Sequence, residues 1–199
     1  MNAEFWNERF SGEGFFYGTA PNDFLAAVAD RIPDGPVLCL GEGEGRNAVY
    51  LAKQGHRVTA VDQSSVGLAK ARRLAAQSGV KVSTEVADLA GFEIEADAWS
   101  GIVTIFVHLP RALRLKVYAR AVAGLKRCGV FILEAYTPAQ LAHGTGGPKD
   151  PALLMDAASV RTELDGLDFE IIREVDRDVN EGTVHSGRSA VVQVVARRK

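Results

Sequence analysis

Gly41, Gly43 and Gly45 stand at every second position, directly after the apolar run Val37–Leu40 and directly before a helical pattern. Glycine costs backbone entropy, so such a cluster marks a tight turn against which a ligand can press. The N–H groups of the helix past Gly45 then point toward that ligand. Asp62 ends the next apolar run, Val58–Val61, where a carboxylate can accept both hydroxyls of a ribose. "VADL" (Val86–Leu89) adds Asp88 at the end of a third strand pattern, where an adenine amino group can be read. Glycines and acids in this order point to a nucleoside-containing ligand. A dinucleotide fingerprint reads G-x-G-x-x-G, whereas here the spacing is G-x-G-x-G and Arg46 stands in place of the third glycine. An NAD(P)-dependent oxidoreductase is therefore the disfavoured alternative.

These residues need a scaffold, and the pattern supplies one. Val37–Leu40, Val58–Val61, Gly101–Val107 and Phe131–Ala135 read as buried strands, and Val80–Val86 alternates like an edge strand. Helical patterns cover Asn47–Gln54, a stretch capped by Ser64 or Ser65 and running to Ser78, the turns opened by Pro110, and a segment near Leu153–Leu164. Phe169–Val179 and Ala190–Ala196 leave no room for a helix between them and read as a hairpin. The expected fold is α/β: a doubly wound, mostly parallel seven-stranded sheet ending in an antiparallel hairpin, with helices on both faces. One domain is expected over 1–199, with 1–35 as an N-terminal lid and helix and 36–199 as a Rossmann-like core.

Composition narrows the partners. With 199 residues, 47% of them hydrophobic, the chain can bury a sizeable core. A formal charge of −2 and a pI near 6.1 give no general attraction to nucleic acid or to an anionic membrane. No apolar stretch reaches the roughly 18 residues of a membrane span, and the start lacks the regions of a signal peptide. The expectation is a cytoplasmic monomer or dimer acting on a small molecule. Cys39 and Cys128 suggest neither disulfide nor metal pair, and the four histidines show no metal spacing.

"LGEGEGRNAVYLA", "VTAVDQSS", "VADL" and "GVFILEAY" resemble the successive motifs of class I S-adenosylmethionine-dependent methyltransferases. "FWNERF", "FYGTAPNDFL", "HLP" and "GTGGPKDPALLM" resemble the small tellurite-resistance/thiopurine methyltransferase-like branch. The resemblance implies S-adenosyl-L-methionine as cofactor. Gly41 and Gly43 would flank its methionine part, with Asp62 on the ribose, Gln63 beside it, and Ala87, Asp88 and Leu89 at adenine. Phe106 would line the pocket, and Tyr17 and Gly18 would fold over the cofactor. One position departs from the pattern: Cys39 stands where the family usually carries an acid, so the cofactor ammonium needs a backbone carbonyl, Glu42 or Glu44 instead. Arg9 and Arg46 compete for the methionine carboxylate, and Trp6 belongs with the lid.

His108 falls just past the fourth strand, where the transferred methyl should emerge, and is the expected catalytic group; a strand-end cap is its plain alternative. His185 and Arg188, in "EGTVHSGR", are the further catalytic candidates near the hairpin tip, with Arg188 suited to an anionic substrate. Tyr136 and the loop holding His143 and "TGGP" are substrate-side candidates, the loop as a lid. The acceptor expected is a small molecule such as a thiol or a selenium or tellurium oxyanion. A non-catalytic S-adenosylmethionine-binding protein is the alternative from another class.

Overall fold

The computed structural model describes residues 2–182 and 185–199, His185 by its backbone alone. In chain order the helices are α1 Ala3–Arg9, α2 Asp23–Val28, α3 Arg46–Lys53, α4 Ser65–Gln77, α5 Arg111–Gly124, α6 Gln140–His143 and α7 Ala157–Glu163. The strands are β1 Pro36–Leu40, β2 Arg57–Asp62, β3 Val82–Val86, β4 Trp99–Ile105, β5 Leu125–Tyr136, β6 Leu167–Glu181 and β7 His185–Arg198. They form one sheet in the order β3-β2-β1-β4-β5-β7-β6. Its β3-β2-β1-β4-β5 part is parallel, and β7 runs antiparallel to both β5 and β6. The doubly wound sheet with a terminal hairpin is the one the patterning predicts.

Alternation along the strands divides the core into two layers. Leu38, Leu40, Ile102, Phe131 and Leu133 pack with Val117, Tyr118 and Ala121 of α5 and Val160 of α7. Val37, Cys39, Val103 and Ile132 pack on the other face with Leu25, Ala48, Leu51, Leu68 and Ala71. Several boundaries differ from the sequence reading for local reasons. The fourth strand stops at Ile105 because Phe106 turns into the left-handed region (φ 55). α7 is shorter than expected because Asp156 caps it, accepting from the Ser159 N–H at 2.7 Å. No helix among the described residues is long and apolar enough to cross a membrane.

The parallel strands end on one edge. It gathers the Gly41–Gly45 turn after β1, Asp62 at the end of β2, Ala87–Leu89 after β3, Phe106–His108 after β4, and Tyr136 at the end of β5. Loops at such an edge carry ligand contacts because the strands fix their origins.

Candidate active site

The glycine turn is stitched together by two acids. Asp62 Oδ2 accepts from the Gly43 N–H and Oδ1 from the Ser64 N–H, both at 2.8 Å. Burial pushes the Asp62 carboxyl above its usual range, opposed by these backbone hydrogen bonds and that of Gln63. Each oxygen keeps lone-pair capacity for a ribose hydroxyl. Glu42 Oε1 accepts from the Asn47 and Ala48 N–H groups at 2.9 and 2.8 Å and so caps α3, whose N-cap residue, Gly45, has no side chain to do it. Burial pushes the Glu42 carboxyl up to about 7, against the pull of the Ala48 bond and of Arg46. Burial and the neighbouring Glu42 carboxylate in turn raise the Cys39 thiol well above its ordinary value. An acid, Glu42, thus lies beside Cys39.

Gly41 and Gly43 both have φ 62, a conformation that L side chains rarely adopt. Their neighbours are partly the protein's own: a Cβ at Gly41 would meet the Val107 side chain at 2.6 Å, and one at Gly43 the Phe10 ring at 3.1 Å. Packing within the chain therefore demands glycine at both positions, whether or not a ligand approaches. Phe10, 2% exposed, sits against both Gly43 and Gly67.

The N-terminal segment is fastened over this turn. Glu44 Oε2 accepts from the Phe16 and Tyr17 N–H groups at 2.7 and 3.3 Å, while its Oε1 pairs with Lys70 Nζ at 2.7 Å. Glu44 is thereby spent on structure. Arg9 lies over the Phe5, Trp6 and Phe16 rings and donates to the Tyr17 hydroxyl at 3.3 Å. Of the two competing arginines, Arg9 is thus held among aromatics. Arg46, 8% exposed, donates from Nη2 to Glu181 Oε2 at 2.5 Å and keeps a buried Nη1 without a partner among the described residues. The hairpin meets the same segment: a Cβ on Gly182 would collide with the Phe16 carbonyl, and Gly18 faces the Gly182 backbone.

At the adenine end, the Ala87 N–H bonds the Asp62 carbonyl at 3.0 Å and Asp88 Oδ1 accepts from the Ala90 N–H at 2.8 Å. A cleft of ≈ 380 Å³ opens there between Ala87, Asp88, Gly91 and Phe92. Leu89 is a partial correction, because its side chain turns into the core and its carbonyl accepts from Arg120. Only its main-chain N–H is left for adenine.

On the acceptor side, Phe106 stacks on Tyr136 with ring centroids 4.6 Å apart, and His108 lies 5.6 Å from Tyr136 and 6.4 Å from Phe106. A bulky residue at positive φ is strained, and such strain concentrates at ligand-facing turns. His108 Nε2 accepts from the Tyr136 N–H at 3.1 Å, which makes Nδ1 the protonated nitrogen and the donor to the Phe106 carbonyl at 3.1 Å. The expectation of a catalytic imidazole is corrected here: His108 ties the ends of β4 and β5 together, and taking a proton at Nε2 would break the Tyr136 bond. Burial raises the Tyr136 phenol far above its ordinary value and keeps it protonated.

The remaining candidates lie farther out. The Arg188 side chain is 55% exposed and reaches the Asp176 carboxylate at 3.9 Å, with His143 on the same carboxylate at 3.5 Å. Arg188, expected near the hairpin tip, thus lies exposed and paired with Asp176. The expectation for the His185 side chain lies outside the described residues. The "TGGP" loop is docked rather than loose, since Thr145 donates to the Arg188 carbonyl and a Cβ at Gly147 would meet the Tyr136 ring at 2.6 Å. Sequence reading missed Asn22, Glu134, Arg177 and Glu181. One signal was visible: Glu134 is a lone acid inside the apolar run of "FILEAY".

Residues 37–129 match a family model described as a methyltransferase domain. A 2-heptyl-1-hydroxyquinolin-4(1H)-one methyltransferase of Mycobacteroides abscessus is 34% identical over 100 residues, covering 49% of this chain and 44% of that protein. The alignment therefore spans less than half of that curated relative. Among solved structures, one described under the conversion of a disulfide bond into a thioacetal group during echinomycin biosynthesis has a TM-score of 0.74 at 22% identity, covering 99% of this chain and 92% of that one. TehB from Haemophilus influenzae has a TM-score of 0.70 at 18% identity, covering 99% and 67%. An S-adenosylmethionine-dependent methyltransferase from Methanosarcina mazei has a TM-score of 0.71 at 14% identity, covering 86% and 96%. The resemblance read from the motifs is upheld at the level of fold: the chain has the class I methyltransferase fold, and its residues 37–129 match the methyltransferase-domain model. S-adenosyl-L-methionine fits the residues present, with Asp62 for ribose, Glu42 beside the turn for an ammonium, and the unspent Arg46 Nη1 for a carboxylate.

Proposed function

We propose that the chain is an S-adenosyl-L-methionine-dependent methyltransferase that acts on a small soft nucleophile, a thiol or a selenium or tellurium oxyanion. The observation that carries the reading is the ring group at the end of β4. Phe106, Tyr136 and His108 form a stacked wall whose imidazole is committed to main-chain bonds and whose phenol stays protonated. When bound, S-adenosyl-L-methionine would supply a sulfonium methyl that passes to the acceptor as the S–CH3 bond breaks, with S-adenosyl-L-homocysteine as the leaving group. Such a displacement draws its rate from alignment. An acceptor that is already ionised, or that ionises easily, needs no base from the wall.

The protein's own groups do the positioning. Asp62 and the Asp88 edge hold the nucleoside, Glu42 and Arg46 hold the charged amino-acid end, and Tyr17 and Gly18 close the site from above with Gln63 beside the ribose. Phe106, backed by the fully buried Tyr136 ring, presents a flat face to the sulfonium region, where a desolvated cation gains about 0.5–2 kcal/mol. His185 is the remaining acceptor-side candidate for proton transfer. The likeness to TehB favours an oxyanion acceptor. The flat wall, together with the hydroxyquinolone acceptor in the name of the Mycobacteroides abscessus relative, favours a second reading, a planar hydroxyaromatic. Radiolabelled methyl transfer across thiols, selenite, tellurite and a 1-hydroxyquinolone separates the two. Calorimetric binding of S-adenosyl-L-homocysteine with no transfer to any member would leave a cofactor-binding protein without catalysis and overturn the enzyme reading.

A further inference from the structure

Arg46 is oddly placed for a cation. It is the first residue of α3, where the helix dipole disfavours positive charge, and its side chain is only 9% exposed. A buried guanidinium needs a negative partner, and Glu181 supplies it from the end of β6, 135 residues along the chain. Glu181 is itself held. Its Oε1 accepts from Asn22 Nδ2 at 2.8 Å and from Arg177 Nη2 at 3.1 Å. Behind it, fully buried Glu134 accepts from Asn22 at 2.5 Å, from Arg177 at 2.9 and 2.7 Å, and from Gln193 at 2.7 Å. Asn22 closes the set from the other side, since its backbone N–H bonds Asn47 Oδ1 in α3 at 2.9 Å.

Two glutamates and two arginines cancel in charge, and each carboxylate oxygen of the pair has a donor. One donor is left over, the buried Nη1 of Arg46. An unmet buried donor costs free energy, so it marks where an acceptor arrives. The charge of Arg46 is felt by the Tyr17 phenol and by the Glu42 carboxylate. Arg46 directly follows the glycine turn, and its partner Glu181 precedes Gly182, which packs on Phe16 and Tyr17, so the guanidinium lies between the turn and the segment that covers it.

We propose that Glu181, acting through Arg46, is the positioning residue for the carboxylate of the cofactor's methionine end, so that the C-terminal hairpin sets the grip on the cofactor. The inference rests on the S-adenosyl-L-methionine reading above. It makes the docking of the hairpin and the binding of the amino-acid end one event: Glu181 orients the fork, and Gly182 next to it packs against Phe16 and Tyr17. Nucleoside binding, which uses Asp62 and the Asp88 edge, stays independent of it.

Two ligands that share the nucleoside make the test. S-adenosyl-L-homocysteine carries the amino-acid end, and 5′-methylthioadenosine lacks it. Calorimetry on the whole chain should show that Glu181→Gln lowers affinity for S-adenosyl-L-homocysteine about tenfold, within the usual range of site-to-site coupling. Affinity for 5′-methylthioadenosine should stay within about twofold. Glu181→Asp, which keeps the charge but draws it back from Arg46, should give a smaller loss confined to the same ligand, and it serves alone if the Gln variant does not fold. Equal losses for both ligands, or no loss for S-adenosyl-L-homocysteine, would overturn the inference. If neither ligand binds the wild-type chain, the cofactor reading fails first and this one falls with it.

Discussion

Single side chains at the carboxyl edge do two jobs at once, and this decides what their removal will show. Asp62 holds the Gly43 and Ser64 N–H groups while leaving lone pairs for ribose. Asp62→Ala should weaken S-adenosyl-L-homocysteine and 5′-methylthioadenosine alike, each lost charge-assisted bond being of order 1.5–3 kcal/mol. Unchanged calorimetric affinity in a folded variant would remove the ribose role. Glu42 makes a different prediction. Its carboxyl, pushed up to about 7, is half protonated near neutrality in the free chain and must ionise to hold an ammonium. Affinity for S-adenosyl-L-homocysteine should therefore rise about tenfold from pH 6 to pH 8 by linkage, and 5′-methylthioadenosine should show no such rise. A flat profile for both would place the ammonium elsewhere. For His108, the loss of two main-chain bonds should dominate. His108→Ala strands the Tyr136 N–H and the Phe106 carbonyl, at a cost of about 1–3 kcal/mol each, and should lower the melting temperature by several degrees. An unchanged melting temperature with a large loss of turnover would restore the catalytic role.

Among the elements, α1 and the segment after it are less like a loose lid than the aromatic run Phe15–Tyr17 suggests. Phe10 is buried on Gly43 and Gly67, Phe15 packs toward Val49 and Leu74, and the Glu44 carboxylate fastens the Phe16 and Tyr17 N–H groups. Phe10→Ala should cost about 3–5 kcal/mol even without ligand, because a buried ring is lost and its site is left empty. Thermal melts of the ligand-free chain measure this directly. A drop of less than about 3 °C would return the segment to a lid that rests on the core without contributing to it. On the opposite face, α5 and α7 are joined by a buried pair in which Arg114 meets both oxygens of Glu163 at 2.6 and 2.8 Å. That pair ties together the two helices that back the sheet.

Across the whole molecule, the buried acids respond to pH in opposite senses. Burial raises the Glu181 carboxyl, but the charge and hydrogen bond of Arg46 and the hydrogen bond from Asn22 more than offset this and hold it below its ordinary value. A carboxyl lowered by folding adds stability above its unfolded pKa and loses it as the pH falls through the folded value. Glu42 and Asp62, both raised, act the other way: their ionisation in the fold becomes a cost as the pH climbs from the ordinary carboxylate range toward about 7 for Glu42. The wild-type melting temperature should therefore exceed that of Glu181→Gln near pH 6, and the gap should close below about pH 4 as Glu181 takes up its proton. A gap that stays constant down to pH 3 would mean that Glu181 carries no such charge in the fold.

The sequence alone determined the mostly parallel sheet with its terminal hairpin and the residues that stand at its strand ends. Those features are local: strand and helix periods follow from residue spacing, and Gly41, Gly43, Asp62 and Asp88 sit at strand ends wherever the strands fall. Only the tertiary structure decided which charges are free to meet a ligand. Glu42 and Glu44 look equivalent in "GEGEG", yet one caps α3 and the other is spent on Lys70 and the N-terminal segment. Arg9 and Arg46 look equally suited to a carboxylate, yet one lies among aromatic rings and the other is turned by Glu181. His108 looks catalytic until β5 arrives beside it. For Glu44, Arg46 and His108 the deciding partner lies dozens of residues away, and hydrogen bonds and ion pairs form between groups that the fold, not the chain order, makes neighbours.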